Sequence, residues 1–201
     1  MRLFALLVIS APLVAQPVSA GLRAGVLATS LLSGGAARER PTSRFAIGPW
    51  VEFHFWRGAG VGIDFLMRRG SFELSPTRSE ITFWRAEAPV TLVYRFRVRA
   101  KPFVRAGITF NRVFDAGGAT ACARGPFGEQ FYCVDGRPAA ELRHRGTSGF
   151  IADGGASWKS HRLRIEPEVR VTHWVDRNFG VRDSEVRSNL NEAALLLGVS
   201  F

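Results

Sequence analysis

The chain has 201 residues, and 46% of them are hydrophobic, which suits one domain or one large all-β unit and excludes a disordered chain. It carries 27 Lys and Arg residues against 17 Asp and Glu residues, and arginine supplies almost all of the positive charge. The formal net charge of +10 indicates nucleic acid or an anionic surface as partner, and the positions of the arginines decide between them.

Residues 1–20 have the order of a secretory signal peptide. Arg2 is their only charge, an apolar run follows it, and a small-residue cleavage motif ends at Ala20. The apolar run is shorter than the roughly 20 residues that span a bilayer, so a membrane anchor is the weaker interpretation. We therefore predict a signal peptide over 1–20, cleavage between Ala20 and Gly21, and one domain over 21–201.

Beyond the signal peptide, apolar and polar residues alternate, which is the pattern of β-strands. In the segment 162–172 every second residue is apolar or proline, and the residues between them are Arg164, Glu166, Glu168 and Arg170. A strand places these four charges on one face, whereas a helix would scatter them. In chain order the pattern predicts eight strands, at 22–31, 44–55, 60–68, 82–98, 102–112, 149–158, 162–172 and 190–201.

The connections between these strands alternate in length. Long loops are predicted at 32–43, 69–81, 113–148 and 175–189, and short turns at 56–59, 99–101 and 159–161. This alternation is typical of outer-membrane barrels, whose short turns face the periplasm.

Alternation alone does not say which face of a barrel is outside, because a soluble calyx also alternates. Three features favour an apolar outer face. The strand lengths suit a tilted membrane crossing. Aromatic residues near the predicted strand ends suggest interfacial girdles, at Phe55, Trp56, Trp84, Trp158 and Trp174. The chain also ends on a predicted strand whose final residue, Phe201, is aromatic.

The C-terminal run AALLLGVSF places Leu195, Leu197, Val199 and Phe201 at alternate positions, and it resembles the C-terminal signal that the barrel-assembly machinery reads. The segments AIGPWVEF, KPFVRAGITF and LRIEPEVRVTHW resemble strands of small OmpA/OmpX-like (PorT-like) outer-membrane β-barrel proteins. The resemblance implies an all-β, eight-stranded antiparallel up-and-down transmembrane β-barrel in the bacterial outer membrane. It implies membrane lipid as a partner, the assembly machinery as a partner during biogenesis, and a monomer.

In such a barrel the apolar set should face lipid: Val61, Phe65, Leu92, Phe96, Ile108, Leu163, Ile165, Val169, Leu195 and Leu197. The charged set should face the lumen: Glu52, Asp64, Arg68, Arg85, Glu87, Arg95, Arg105, Arg164, Glu166, Glu168, Arg170 and Glu192. Eight strands leave an interior that side chains fill, so these charges must pair. We predict an ion-pair network. Glu166 and Glu168 lie about 7 Å apart on one strand, which also fits a catalytic carboxylate pair, but pairing with arginine is the stronger interpretation.

Pro49, Pro89 and Pro167 fall inside predicted strands, where a residue without an N–H group is unusual. We expect them to mark bulges or strand ends. Cys122 and Cys133 lie in the longest predicted loop, and in an exported chain they predict a disulfide.

No metal or cofactor motif appears in the sequence. His173 is the nearest candidate for a lipid-hydrolase histidine, but no serine accompanies it and an interfacial position is the simpler interpretation. No basic run with interleaved aromatics supports nucleic-acid binding, and loop arginines that face an anionic leaflet are the simpler use of the charge. Three functions therefore stay open: a non-enzymatic structural or surface-interaction barrel, a narrow pore for small solutes, and a lipid-modifying enzyme.

Overall fold

Eight long segments of the chain are β-strands. The computed structural model describes residues 18–29, 32–33, 37–39, 44–74, 79–98, 100–124, 131–134, 142–160, 163–178 and 187–200. The strands are β1 (Val18–Leu27), β2 (Phe45–Trp56), β3 (Ala59–Asp64 and Leu66–Leu74), β4 (Ser79–Arg95), β5 (Pro102–Arg124), β6 (Gly146–Ala156, continued by Trp158–Ser160), β7 (Leu163–Trp174) and β8 (Asn191–Ser200). Within the described residues, no helix is long and apolar enough to cross a membrane.

The strands form one closed antiparallel barrel in which each pairs with its neighbours in sequence. Closure comes from β1 and β8, whose register runs from Gly21 opposite Ser200 to Leu27 opposite Ala194. Lipid cannot form hydrogen bonds with backbone groups, and a closed sheet has no edge at which a row of them would be left unpaired. The eight-stranded up-and-down barrel predicted from the sequence is confirmed.

The outer face is apolar along the middle of the strands. Leu92 is 68% exposed, Val169 54% and Leu195 52%. Of the ten residues predicted to face lipid, Val61 and Leu163 are half-buried and the other eight are exposed. An apolar belt around a closed barrel is the surface that a bilayer requires, since water would disfavour it.

Phe55, Trp56, Trp84 and Trp158 are also exposed, as the girdle interpretation expects. Trp174 corrects that interpretation, because it is buried with only 2% of its surface exposed. Side chains alternate across a strand, and Trp174 has the same parity as Arg170, so it points into the lumen.

Three strands, β3, β4 and β5, extend further towards the long loops than predicted, and β4 also ends earlier than predicted, at Arg95 rather than at residue 98. The predicted loop 69–81 contains the ends of β3 and β4, and β5 continues to Arg124. Alternation of apolar and polar residues is required only where a strand contacts lipid. Beyond the lipid, backbone pairing places no such requirement on the side chains, so the strands continue past the end of the alternating pattern. Short strands accompany these extensions: Ala37–Glu39 pairs with β3, Phe131–Val134 with β5, and Leu32–Ser33 with Arg187–Ser188.

At the N-terminal end the described chain begins at Val18, and β1 therefore includes the three residues before the predicted cleavage point. The rest of the predicted signal peptide and Phe201 lie outside the described residues. At the first short turn, Arg57 and Gly58 both have positive φ, 31° and 102°. This backbone geometry is the one that tight two-residue hairpins require, and glycine adopts it without steric cost.

The three strand prolines lie in mid-barrel, and each faces an interruption in one neighbouring strand. Phe65 separates the two parts of β3, with Pro49 of β2 on one side and Pro89 of β4 on the other. Ser157 separates the two parts of β6, next to Pro167 of β7. Pairing resumes in the same register beyond both interruptions.

The expectation of bulges or strand ends is therefore corrected. A proline cannot donate the ladder hydrogen bond that its neighbour would accept, so pairing lapses for about two residues without a shift of register. Phe65 still donates its own N–H to the carbonyl oxygen of Pro49 at 2.9 Å. On the opposite side each proline is paired in register: Pro49 with Leu22, Pro89 with Thr109 and Pro167 with Leu197.

Candidate functional site

The candidate site is the charged lumen of the barrel. Alternation along β7 turns Arg164, Glu166, Glu168 and Arg170 inward, and neighbouring strands contribute charges in the same way. Glu52 and Glu166 are fully buried, and most of the other charged lumen residues are nearly so. Charged groups withdrawn from water this far need partners of opposite sign.

Arg105 of β5 lies at the centre of the lumen. Its Nη1 atom is 2.5 Å from Glu168 Oε2, and its Nη2 atom is 3.1 Å from Glu52 Oε2 and 3.3 Å from Glu166 Oε2. One guanidinium therefore contacts carboxylates from two other strands. Its fork of donors suits this use, because a planar guanidinium can bind several oxygens at once.

A second arginine of the same level, Arg170, binds a different set of carboxylates. Its Nη2 atom is 2.6 Å from Asp64 Oδ2, 3.0 Å from Asp153 Oδ2 and 3.1 Å from Glu168 Oε1. Arg23 of β1 contacts Asp64 as well and lies 3.3 Å from Glu168. We call Arg23, Asp64, Arg105, Asp153, Glu168 and Arg170 the central network.

Towards the short turns lies a second group around Arg95. Its Nε and Nη2 atoms bind the two oxygens of Glu52 at 2.6 and 2.7 Å, and its Nη1 atom is 2.6 Å from Glu166 Oε1. His54 Nε2 is 2.6 Å from Glu52 Oε1, and Arg164 Nε is 3.1 Å from Glu166 Oε1. Glu52 therefore contacts Arg95 and His54, and Glu166 contacts Arg95 and Arg164.

Towards the long loops lies a third group built on Glu192 of β8. Arg68 Nη2 and Arg85 Nη1 approach its oxygens at 3.2 and 2.9 Å. The same two arginines contact Glu87 at 3.4 and 3.0 Å. A cavity of about 20 Å³ separates this group from Arg170 of the central network, which is enough for one water molecule.

Aromatic rings complete the packing of the lumen. The Arg105 guanidinium carbon lies 4.4 Å from the centre of the Phe103 ring, and that of Arg23 lies 5.1 Å from the Trp50 ring. Arg85 lies 4.3 Å from the ring of Trp174. Cation–π contacts of this kind are strongest where water is absent, so the rings both fill space and stabilise the cations.

The charges of the three groups balance. The arginines are Arg23, Arg68, Arg85, Arg95, Arg105, Arg164 and Arg170, and the carboxylates are Glu52, Asp64, Glu87, Asp153, Glu166, Glu168 and Glu192. Seven positive charges face seven negative ones. The structure thus places all twelve predicted lumen residues inside the barrel and brings each into contact with an opposite charge.

Two members of the central network, Arg23 and Asp153, are absent from the sequence-based set. Arg23 is the only charged residue of β1, and Asp153 is the only one in the Gly146–Ala156 part of β6; both segments are rich in glycine and alanine. The only sequence signal for them was their position along the strand. Arg23 lies between Leu22 and Ala24, and Asp153 lies between Ala152 and Gly154, so each side chain points to the face opposite to that of its two neighbours.

The residues considered for catalysis are engaged in other contacts. Glu166 and Glu168 both bind arginines rather than standing free as an acid–base pair. His173 is exposed on the outer face, with its Nδ1 atom 2.7 Å from Asn191 Oδ1. Within the described ranges, no group of three His, Cys, Asp or Glu residues is arranged to hold a metal ion.

The predicted disulfide falls on residues whose side chains lie outside the description. The backbone places Cys122 and Cys133 directly opposite each other in the β5 ladder with Phe131–Val134. Opposed residues of an antiparallel pair have Cα atoms about 4.5–5.5 Å apart, a separation that a disulfide can bridge. The disulfide stays a prediction.

No protein-family model matches the sequence, and no curated protein is significantly similar to it. The fold is similar to the crystal structure of the outer membrane protein OprG from Pseudomonas aeruginosa, with a TM-score of 0.57 and 9% identity over 91% of this chain and 92% of that one. The solid-state NMR structure of outer membrane protein AlkL in DMPC bilayers gives a TM-score of 0.48, with 14% identity over 92% and 89%. Neisserial surface protein A gives 0.46, with 14% identity over 92% and 96%.

At 9% identity the likeness to OprG is one of fold. The closed eight-stranded sheet, the apolar belt and the charged lumen are features of this chain's own residues. Together they define a closed eight-stranded antiparallel β-barrel, which has the fold of OprG and the apolar outer belt that a bilayer requires.

Proposed function

We propose that this chain is a non-enzymatic outer-membrane protein with a structural or surface-interaction role and a lumen closed to solutes by its ion pairs. The observation that carries the proposal is the balanced network of seven arginines and seven carboxylates. A pore lining would leave charges facing water, whereas these side chains contact one another across the barrel.

The central network joins strands that lie far apart in the wall. Arg23 of β1 contacts Asp64 of β3, and Arg170 of β7 contacts both Asp64 and Asp153 of β6. A solute that passed this level would have to break several of these pairs at once. Each charge left without its partner costs several kcal/mol, so the barrier to passage is high.

The part of the molecule that reaches beyond the membrane supports a role at the cell surface. The ends of β3, β4 and β5 continue past the apolar belt as one paired sheet. Phe131–Val134 adds a further strand to this sheet. Such a rim presents backbone and loops away from the bilayer, as surface-interacting barrels do. The proposed partners are membrane lipid and, during biogenesis, the barrel-assembly machinery, with the barrel as a monomer.

Planar-bilayer recording tests whether the lumen is closed. The folded wild-type protein is expected to give no steady conductance above that of the bare bilayer. A matched positive control is Arg105→Ser combined with Glu168→Ser, which removes an ion pair at the centre of the lumen without changing its net charge. Steady ohmic conductance of the wild type, equal to that of this control, would contradict the proposal and favour the narrow pore.

The non-enzymatic part of the proposal is tested with lipid substrates. The full-length barrel in bilayers of phospholipid and lipopolysaccharide is expected to release no fatty acid and to transfer no acyl chain. Product formation that disappears in His173→Gln would favour the lipid-modifying enzyme instead.

A further inference from the structure

The short-turn end of the barrel contains an open cavity of about 410 Å³. Its lining includes Arg95, Arg97, Lys101, Ser157, Lys159 and Arg164. Ligand sites in proteins commonly have volumes of about 300–1,000 Å³. We call this cavity the basic vestibule, because five of these six side chains are cationic.

The cations of the basic vestibule fall into two sets. Arg95 and Arg164 belong to the lumen network and contact Glu166. Arg97, Lys101 and Lys159 are exposed, and in the part of the chain that the structure describes none of the three forms an ion pair. The balanced lumen is therefore followed, at its mouth, by an excess of positive charge.

The short turns around the vestibule carry positive charge without acidic side chains. The three short turns, taken as 56–59, 96–102 and 157–163, contain six Arg and Lys residues and no Asp or Glu. Both lysines of the protein, Lys101 and Lys159, are among them. The nearest carboxylates are Glu52 and Glu166, which are already bound by arginines. An anion from outside the chain would balance charge that Glu52 and Glu166 leave uncompensated.

A second observation concerns the guanidinium of Arg164. Its Nε atom is 3.1 Å from Glu166 Oε1 and its Nη1 atom donates to Ser19 Oγ, but its buried Nη2 atom forms no hydrogen bond with any described residue. A buried guanidinium donor without an acceptor costs free energy, and an oxyanion in the vestibule would supply one.

The position of the vestibule indicates which oxyanion it meets. Trp56, Phe96 and Trp158 are exposed at this end of the barrel, as aromatic residues are at a membrane interface. Short turns face the periplasm, so the vestibule opens at the level of the inner-leaflet headgroups and the periplasmic solution. Phosphoryl groups are oxyanions that both of these surroundings offer, and a cluster of Lys and Arg suits them.

We propose that the basic vestibule is a binding site for a phosphoryl group, supplied either by an inner-leaflet phospholipid headgroup or by a soluble phosphate compound of the periplasm. The site is separate from the central network, so it stands whether or not the lumen is closed.

The test uses the full mature barrel in phosphatidylcholine nanodiscs, titrated with inorganic pyrophosphate by calorimetry. Saturable binding at one site is expected. The triple variant Arg97→Gln, Lys101→Gln, Lys159→Gln should weaken it about tenfold or more, since charge-assisted contacts are lost. A matched control, Arg69→Gln, Arg112→Gln, Arg143→Gln, removes the same charge from exposed positions towards the long loops and should leave the affinity within about twofold.

A second experiment distinguishes a phospholipid headgroup from a soluble phosphate compound. Nanodiscs of mixed phosphatidylcholine and phosphatidylglycerol are prepared, and the lipid retained by each variant is counted by mass spectrometry. Retention of phosphatidylglycerol by the wild type and the control, but not by the triple variant, supports a headgroup. Pyrophosphate binding without such retention supports a soluble ligand.

Two outcomes would overturn the proposal. One is the absence of both pyrophosphate binding and phosphatidylglycerol retention in the wild type. The other is an equal loss in the triple variant and its charge-matched control, which would show only a response to net charge. Heat-modifiability on gels checks that every variant is folded, and Lys159→Gln alone gives a milder second test in the same direction.

Discussion

Arg23 and Asp153 show how a single charge can occupy the centre of a network and still be inconspicuous in the sequence. On β7 four charges alternate with apolar residues, so the face they share is evident. On β1 and in the Gly146–Ala156 part of β6 a single charge stands among small residues, and only its odd or even position along the strand indicates which face it lies on. Trp174 is the converse case, since its position near a strand end suggests a girdle while its parity and burial place it over Arg85.

Glycine at position 48 is required by the close approach of two strands. A Cβ atom there would overlap the carbonyl oxygen of Phe65 in the neighbouring strand. We expect Gly48→Ala to lower the free energy of unfolding by about 1–3 kcal/mol, as measured by urea titration in lipid vesicles.

The matched control for that substitution is Gly154→Ala. Position 154 also lies within a strand, but the nearest atom to an added Cβ is the Phe103 carbonyl oxygen at 3.5 Å, an ordinary contact. This variant should be neutral or stabilise the barrel by about 0.5 kcal/mol. If the two substitutions change the free energy of unfolding equally, the close approach of the neighbouring strand does not explain why position 48 is glycine.

At the scale of elements, the sequence predicts the strands where lipid imposes an alternating pattern. The number of strands, their order and the short turns all follow from it. The extension of β5 to Arg124 does not, because pairing beyond the membrane places no constraint on side-chain polarity. The interruptions opposite the prolines could not be predicted from the pattern of one strand either. Each interruption depends on which residue of the neighbouring strand lies opposite the proline.

The extension of β5 predicts slow amide exchange past the predicted end of that strand. Val113 and Phe114 lie opposite Arg85 and Trp84 in the ladder, so we expect strong protection of their amides in hydrogen–deuterium exchange. Exchange as fast as that of an unstructured peptide would show that β5 ends near residue 112.

The opposed positions of Cys122 and Cys133 predict a disulfide across the rim. The unreduced protein should gain no mass on treatment with a maleimide under denaturing conditions, and the reduced protein should gain two labels. Two labels before reduction would contradict the disulfide.

At the scale of the whole molecule, the barrel has an apolar outer face and a lumen of paired charges, and the signal peptide predicted from its sequence indicates export. Export predicts that the mature chain begins at Gly21, so that β1 loses Val18, Ser19 and Ala20. The contact between Arg164 Nη1 and Ser19 Oγ at 3.2 Å would then be absent from the mature protein, while Arg23 stays in place. Intact-mass measurement of protein from the outer-membrane fraction checks this, and a mass that includes residues 1–20 would contradict it.

A double-mutant cycle on Arg105 and Glu168 tests whether paired charges fill and stabilise the lumen. The measurement is urea unfolding in lipid vesicles for the wild type, Arg105→Ala, Glu168→Ala and the double variant. Arg112→Ala, an exposed arginine of the same strand, serves as the control. Each lumen variant removes one partner of a pair whose atoms lie 2.5 Å apart.

We expect each single lumen variant to lose about 3–5 kcal/mol of unfolding free energy, because it leaves a buried charge without its partner. The double variant should lose less than the sum of the two, and Arg112→Ala should change little. Single variants as stable as the wild type, with steady ionic conductance through the barrel, would contradict the claim and show that the lumen charges face water.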